Sequence, residues 1–251
     1  GMKPAGDNGT FFQFFDMYRH QISPQSSVKI GDQSLKLWKD ILVQDVTDNN
    51  FTAPVLYLGK VEPEELASKN IAGKVVALKA SDLNIKKEMT LFVRRYPGFV
   101  RTKYYKELVR LGAKGIIFIT DDISDKSWVE VVPQMTRGSY GIEGIREKVD
   151  TGIPVFWIKQ ENENWVKNNP EISLNIQTET YKYPSVNIIG KIEGTDPKLK
   201  NEYVLLSGHQ DHDGIRHPVK NDTIYNGADD NASTCVAILA MARAYKKQPS
   251  K

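Results

Sequence analysis

The sequence has one cysteine, four histidines and no apolar run near the ~20 residues that a membrane-spanning helix needs. A lone Cys235 excludes an intrachain disulfide framework, so oxidising and reducing compartments are both compatible with it. It sits in an apolar stretch, where a small buried thiol is the expected state. An excess of one charge is also missing: 34 Lys and Arg stand against 31 Asp and Glu, a net charge of +3, with the signs interspersed. That balance implies no nucleic-acid or membrane surface. No charged n-region followed by an apolar h-region opens the chain, which says little about location: Gly1 ahead of Met2 reads as the scar of tag removal, and a native leader could have been cut away with it.

What is present is an ordinary globular composition, 40% hydrophobic and 26% charged, over 251 residues, enough for one large domain or two modest ones. Phe11, Phe12, Phe14 and Phe15 read as a buried strand, with core packing preferred over a ligand-stacking surface. Ser27 to Ile30 and Ser34 to Trp38, separated by Gly31-Asp32, read as a hairpin. Pro54 to Leu58 and Val75 to Lys79 read as strands, and Pro63 to Ser68 as a short helix opened by Pro and acidic residues. Tyr104 to Leu111 has helical spacing and stops at Gly112, leading into the apolar strand Gly115 to Ile119. Gly152 to Ile158 and Ile172 to Thr178 are further strands.

Toward the carboxyl end, Val186 to Ile192 and Tyr203 to Leu206 read as two strands joined by the turn Gly194-Thr195-Asp196-Pro197. Ala232 to Tyr245, apolar on nearly every face, reads as a helix buried in a larger α/β domain. The strand ending at Leu206 delivers His209 and Asp211, and Asp229 and Asp230 come just before the helix. Imidazole and carboxylate in those places suit zinc, which takes nitrogen and oxygen ligands, and ligands collect at the carboxyl ends of strands in open α/β sheets.

Residues 72–78, 111–117 and 152–155, in that order, resemble the protease-associated domain, a non-catalytic β-rich insert with flanking helices. That resemblance implies a domain over 46–180 with a role in substrate access or protein contact. Asn187-Ile188-Ile189-Gly190 with Glu193-Gly194, then Ser207-Gly208-His209-Gln210-Asp211-His212, then Asn226 to Ser233 resemble the M28 family of zinc peptidases. Lys3 to Gly9 looks like a stretch of the same catalytic domain. The resemblances together imply an α/β chain: a segment 1–45 belonging to the catalytic domain, the β-rich insert, and over 181–251 an incomplete amino-terminal part of a phosphorylase/hydrolase-like α/β zinc-peptidase domain.

Carried over residue by residue, the M28 resemblance makes His209 a ligand of one zinc and Asp229 the carboxylate bridging two. It makes Asp211 the carboxylate that orients the imidazole of His209, and it makes the Asp229–Asp230 peptide cis. The implied reaction is zinc-dependent exopeptidase chemistry, of aminopeptidase type, on a peptide or protein substrate, with metal-activated water. An extracytoplasmic location is implied as well. The family's Glu-Glu pair, which supplies the general base and a ligand, and its later Asp and His have no counterpart after Ser233. The chain is therefore expected to be a fragment that binds zinc weakly or not at all and is inactive by itself. The alternative is a peptidase-like binding module of the receptor-ectodomain type; the pairing of His209 with Asp229 favours the enzyme.

The other polar residues have plainer readings. His212 stands equally as a wall of the site and as a loop histidine, and His217 beside Pro218 is expected to be exposed. His20 carries no motif. Asp121, Asp122 and Asp125 lack the spacing of a calcium loop and read as a solvated turn. Lys86-Lys87 and Arg94-Arg95 read as a charged face.

Overall fold

The structure is a computed structural model; it describes residues 2–79, 90–142, 152–219 and 221–247, and the side chains of 90–94, 217 and 219 lie outside the described parts. Lys86-Lys87 lie outside the described residues, as do the side chains of Arg94 and His217. In chain order the strands and helices are β1 (Lys3–Pro4), β2 (Phe12–Ile22), β3 (Ser27–Ile30), β4 (Gln33–Leu35), β5 (Ile41–Val43), β6 (Asn49–Gly59), β7 (Val75–Lys79), α1 (Thr90–Arg110), β8 (Gly115–Ile119) and α2 (Asp122–Arg137). Then follow β9 (Ser139–Ile142), β10 (Val155–Ile158), α3 (Glu163–Asn168), β11 (Glu171–Ile176), β12 (Thr178–Ile188), β13 (Gly190–Lys191), β14 (Gly214–Val219), β15 (Asp222–Tyr225) and α4 (Ser233–Lys247). The chain is mixed α/β and divides into two compact units, residues 17–183 and residues 1–16 with 184–251. Among the described residues no helix is long and apolar enough to cross a membrane.

The larger unit is built on an eight-stranded sheet in the order β4-β3-β11-β6-β7-β8-β10-β5. Its centre, β6, β7, β8 and β10, is parallel, and β11 and β5 flank it antiparallel. Strands buried on both faces read as unbroken apolar runs, and Val75–Leu78, Gly115–Ile119 and Val155–Ile158 are buried throughout. The two-residue period sorts them. Val76, Leu78, Ile116, Phe118, Val155 and Trp157 face one core with α1 and α2. Val75, Ala77, Ile117, Ile119, Phe156 and Ile158 face the other, with β3, β11 and α3.

Helix α1 presents Tyr96, Val100, Tyr104 and Leu108, four apart and all fully buried, so it begins well before the expected Tyr104. Val28, Ile30, Leu35 and Ile41–Val43 are buried in this sheet as well. Residues 17–45 group with 46–183 in the larger compact unit. The hairpin is present, with Val28 opposite Leu35 and Ile30 opposite Gln33, and Pro63–Ser68 is a 3-10 helix.

Asp121, Asp122 and Asp125 do not form a turn; they open α2. Asp121 Oδ1 accepts from the amides of Ile123 and Ser124 at 3.1 and 2.9 Å, and the Ser124 hydroxyl accepts the Asp121 amide proton at 2.8 Å, a reciprocal cap. The Tyr96 hydroxyl donates to the other Asp121 oxygen. Asp121→Ala is therefore expected to cost about 1–2 kcal/mol, seen as a lower midpoint in thermal or urea denaturation, whereas Asp122→Ala, outside the cap, should change it little.

At the carboxyl ends of β6 and β7, Glu163 accepts from the Tyr57 hydroxyl and pairs with Lys79 at 2.7 Å. Burial pushes the Glu163 carboxyl up, but the hydrogen bonds from Lys79 and Tyr57 outweigh it and hold the group below the usual carboxylate range. Tyr57 is pushed up to about 12, first by its hydrogen bond to Glu163 and then by burial, so it stays a donor. These polar groups satisfy one another within the fold.

The smaller unit is different in kind. β1 pairs with β13, Lys3 meets Glu193 at 2.6 Å, and β14 and β15 form a hairpin. None of its described apolar residues is buried. Phe11, Phe12 and Phe14 are exposed, against the expected buried strand. Tyr203–Leu206 is irregular, and Val204 is 90% exposed, because an apolar run becomes a strand only where a neighbour pairs with it. α4 is a helix as expected, but Val236, Leu239, Met241 and Tyr245 are exposed and Cys235 is only half-buried.

Candidate metal site

His209 lies on the irregular segment that follows Leu206, and close packing against α4 fixes that segment's path. A Cβ at Gly208 would stand 3.1 Å from Thr234 Cγ2 and 3.4 Å from both Cys235 Sγ and Ile238 Cδ1, so the backbone beside His209 rests on the first turns of the helix. His209 Nδ1 is 2.9 Å from the backbone carbonyl oxygen of Asp211. A carbonyl oxygen only accepts, so this bond puts a proton on Nδ1, and in the neutral ring Nε2 is then the lone-pair nitrogen, as in a metal-ligating imidazole. The Asp211 carboxylate is farther away, Oδ1 at 3.5 Å, and 89% exposed. The Asp211 atom nearer the imidazole is its carbonyl oxygen, where the resemblance implied its carboxylate.

Nε2 faces Asp230, whose Oδ1 is 3.4 Å away. The expected partner was Asp229. The turn Ala228–Ala232 explains the difference: Asp230 and Asn231 depart from helical backbone angles inside it, and that swings the Asp230 side chain toward His209. Asp229 is exposed and joins the turn through its backbone, its carbonyl accepting the Ser233 hydroxyl at 2.9 Å. The cis peptide likewise lies at Asp230–Asn231, one residue beyond the expected place. Nothing in the sequence separates two adjacent aspartates; only the backbone path of the turn does.

An imidazole nitrogen and a carboxylate oxygen converging at this distance fit zinc by donor type. Their number is small: among the described residues no three His, Cys, Asp or Glu side chains are placed to hold one metal ion together. His20 is placed elsewhere, on β2, with Nδ1 2.9 Å from the Thr180 hydroxyl. It lines a cleft of about 860 Å3 in the larger unit, together with Asp48, Tyr140 and Thr180. That cleft contains none of the motif residues.

Residues 187–251 match the family model described as Peptidase family M28. No curated protein sequence matches the chain. Among solved structures, an aminopeptidase from Aneurinibacillus sp. strain AM-1 is similar at 15% identity and a TM-score of 0.44, over 94% of this chain and 49% of that one. A zinc aminopeptidase from Bacillus subtilis is similar at 16% identity and 0.41, over 95% and 48%. A peptidase M28 precursor from Shewanella amazonensis SB2B is similar at 13% identity and 0.38, over 74% and 41%. The chain spans about half the length, or less, of these proteins.

Proposed function

We propose, on the premise that this chain belongs to peptidase family M28 through residues 187–251, that it is part of a zinc-dependent peptidase in which His209 and Asp230 hold metal. The observation that carries this reading is the pair itself: His209 Nε2 stands 3.4 Å from Asp230 Oδ1, with Nδ1 already committed to the Asp211 carbonyl. Zinc, when bound, supplies a Lewis acid for the scissile carbonyl and makes water more acidic. The chain's own residues do the holding. Asp211, through its carbonyl, fixes the ring's tautomer and direction, and Asp230 offers an anionic oxygen that lowers the cost of bringing a dication there.

The finer reading is an exopeptidase of aminopeptidase type with two zinc ions. Asp230 would take the bridging place first given to Asp229, and a peptide or protein would be the substrate. Residues 17–183 are proposed as the protease-associated domain. An extracytoplasmic site of action belongs to the same proposal and rests on the family resemblance alone.

Two donors are fewer than the three or four protein ligands of a zinc site. We expect zinc to bind this chain with a dissociation constant above about 1 μM, far weaker than a complete structural site. Isothermal titration checks this. The account predicts a weak isotherm that His209→Ala abolishes; submicromolar binding, or heat unchanged in His209→Ala, would contradict it.

A further inference from the structure

The loop that carries Asp230 rests on a histidine to which the proposed chemistry gives no part. Gly227, just before the turn, has φ +71, in the left-handed region that favours glycine. A Cβ there would lie 2.4 Å from His212 Cβ, 3.0 Å from His212 Cγ and 2.8 Å from the Asp230 carbonyl oxygen. The Gly227 backbone is thus seated directly on His212. The His212 ring also lies beside Tyr225, with centroids 6.5 Å apart and planes at 33°. His212 therefore touches the chain at two positions, 225 and 227, on the approach to Asp230. It stands three residues after His209, on the segment that carries that ligand. From Gly227 the turn is closed by the Ala232 amide donating to the Gly227 carbonyl at 3.1 Å.

The contact adds to the packing of Gly208 on α4, which ties the same segment to the helix after the turn. The described residues of the smaller unit have no buried apolar core, and the side chains of His209 and Asp230 are 54% and 74% exposed. His212 is itself exposed, but the root of its side chain meets the backbone just before the turn and so bears on the separation of the two segments. The contact is made by the Cβ and Cγ of His212, at the root of the ring, against backbone. It does not need the ring nitrogens.

We propose that His212 is a positioning residue: by packing under Gly227 and against Tyr225, it holds Asp230 at the distance from His209 at which both donors reach one zinc ion. This rests on the reading of His209 and Asp230 as metal ligands. A packing role tolerates a ring without nitrogens, and a ligand role does not.

The test uses the full chain and zinc chloride, with the affinity read from the His209 ring nitrogen signals in long-range proton–nitrogen NMR spectra. His212→Ala is expected to weaken zinc binding about tenfold, the scale of losing a group that orients a ligand, and His212→Phe is expected to bind as the unsubstituted chain does. Equal weakening in both variants would make His212 a ligand and overturn the proposal, as would unchanged binding in His212→Ala. Amide exchange without metal separates this proposal from the reading beneath it. The amides of 228–232 should exchange about tenfold faster in His212→Ala, as local opening becomes easier, and at the original rate in His212→Phe. If zinc moves no His209 signal in the unsubstituted chain, the metal reading fails while the exchange result still judges the packing. Unaltered exchange in His212→Ala, or equal acceleration in both variants, overturns it.

Discussion

Trp157→Ala should destabilise the larger unit by about 3–5 kcal/mol, the usual cost of truncating a fully buried aromatic residue. Trp157 is 1% exposed on β10, with its ring 5.0 Å from that of Phe118 on the adjacent strand. Its indole N–H donates to Gln44 Oε1 at 2.7 Å, so the truncation removes a hydrogen bond along with the packing. Cavity formation dominates, since the surrounding sheet and the two helices collapse only partly into the space. For a unit of this size the thermal midpoint should fall by roughly 6–20 °C. Trp157→Phe keeps most of the packing and should cost less, about 1–2 kcal/mol, with loss of the bond to Gln44 as one part. A fall of under about 3 °C for Trp157→Ala would show that the core assigned to β8, β10 and α1 does not carry the stability of this unit.

That core was the most legible part of the sequence. The strands at Val75, Gly115 and Val155 announce themselves because both faces of a central parallel strand are buried, which leaves an unbroken apolar run between turn residues. Helix α2 was missed. Its opening acids suggested a turn, while Ile123, Trp128 and Val131 give one buried face and Asp121 with Ser124 gives the cap. The amino-terminal phenylalanines and Tyr203–Leu206 failed in the opposite sense. Hydrophobicity predicts burial only where another surface arrives to cover it, and a single segment's composition does not contain that surface. At the candidate site, the motif pointed to His209 and to a carboxylate beside the helix, and the structure places Asp230 Oδ1 3.4 Å from His209 Nε2. That Asp230 faces the imidazole, and that the Asp211 carbonyl lies nearer to it than the carboxylate, are features of the folded backbone at 209–211 and 228–232 that composition does not contain.

On the proposed reading of His209 and Asp230 as metal ligands, Asp230→Ala should be the most damaging single change for metal binding after loss of His209 itself, and Asp229→Ala should be mild. Asp230 presents its carboxylate to Nε2, so its removal takes away one of two donors and the negative charge that favours a dication. Affinity should fall by about tenfold at least, since the loss of groups that only orient a ligand already costs ~10–100-fold. Asp229 contributes its carbonyl to the Ser233 hydroxyl, and that bond survives truncation of its side chain. Both substitutions are at exposed positions, so fold stability should change little in either case.

The measurement that bears most directly on the proposed metal site is a zinc titration of the chain, the Asp230→Ala variant and the Asp229→Ala variant, followed by NMR at the His209 ring nitrogens. The account predicts that zinc perturbs Nε2 in the chain and in Asp229→Ala at similar concentrations, and requires at least about tenfold more zinc in Asp230→Ala. Loss of the response in Asp229→Ala with retention in Asp230→Ala would contradict it.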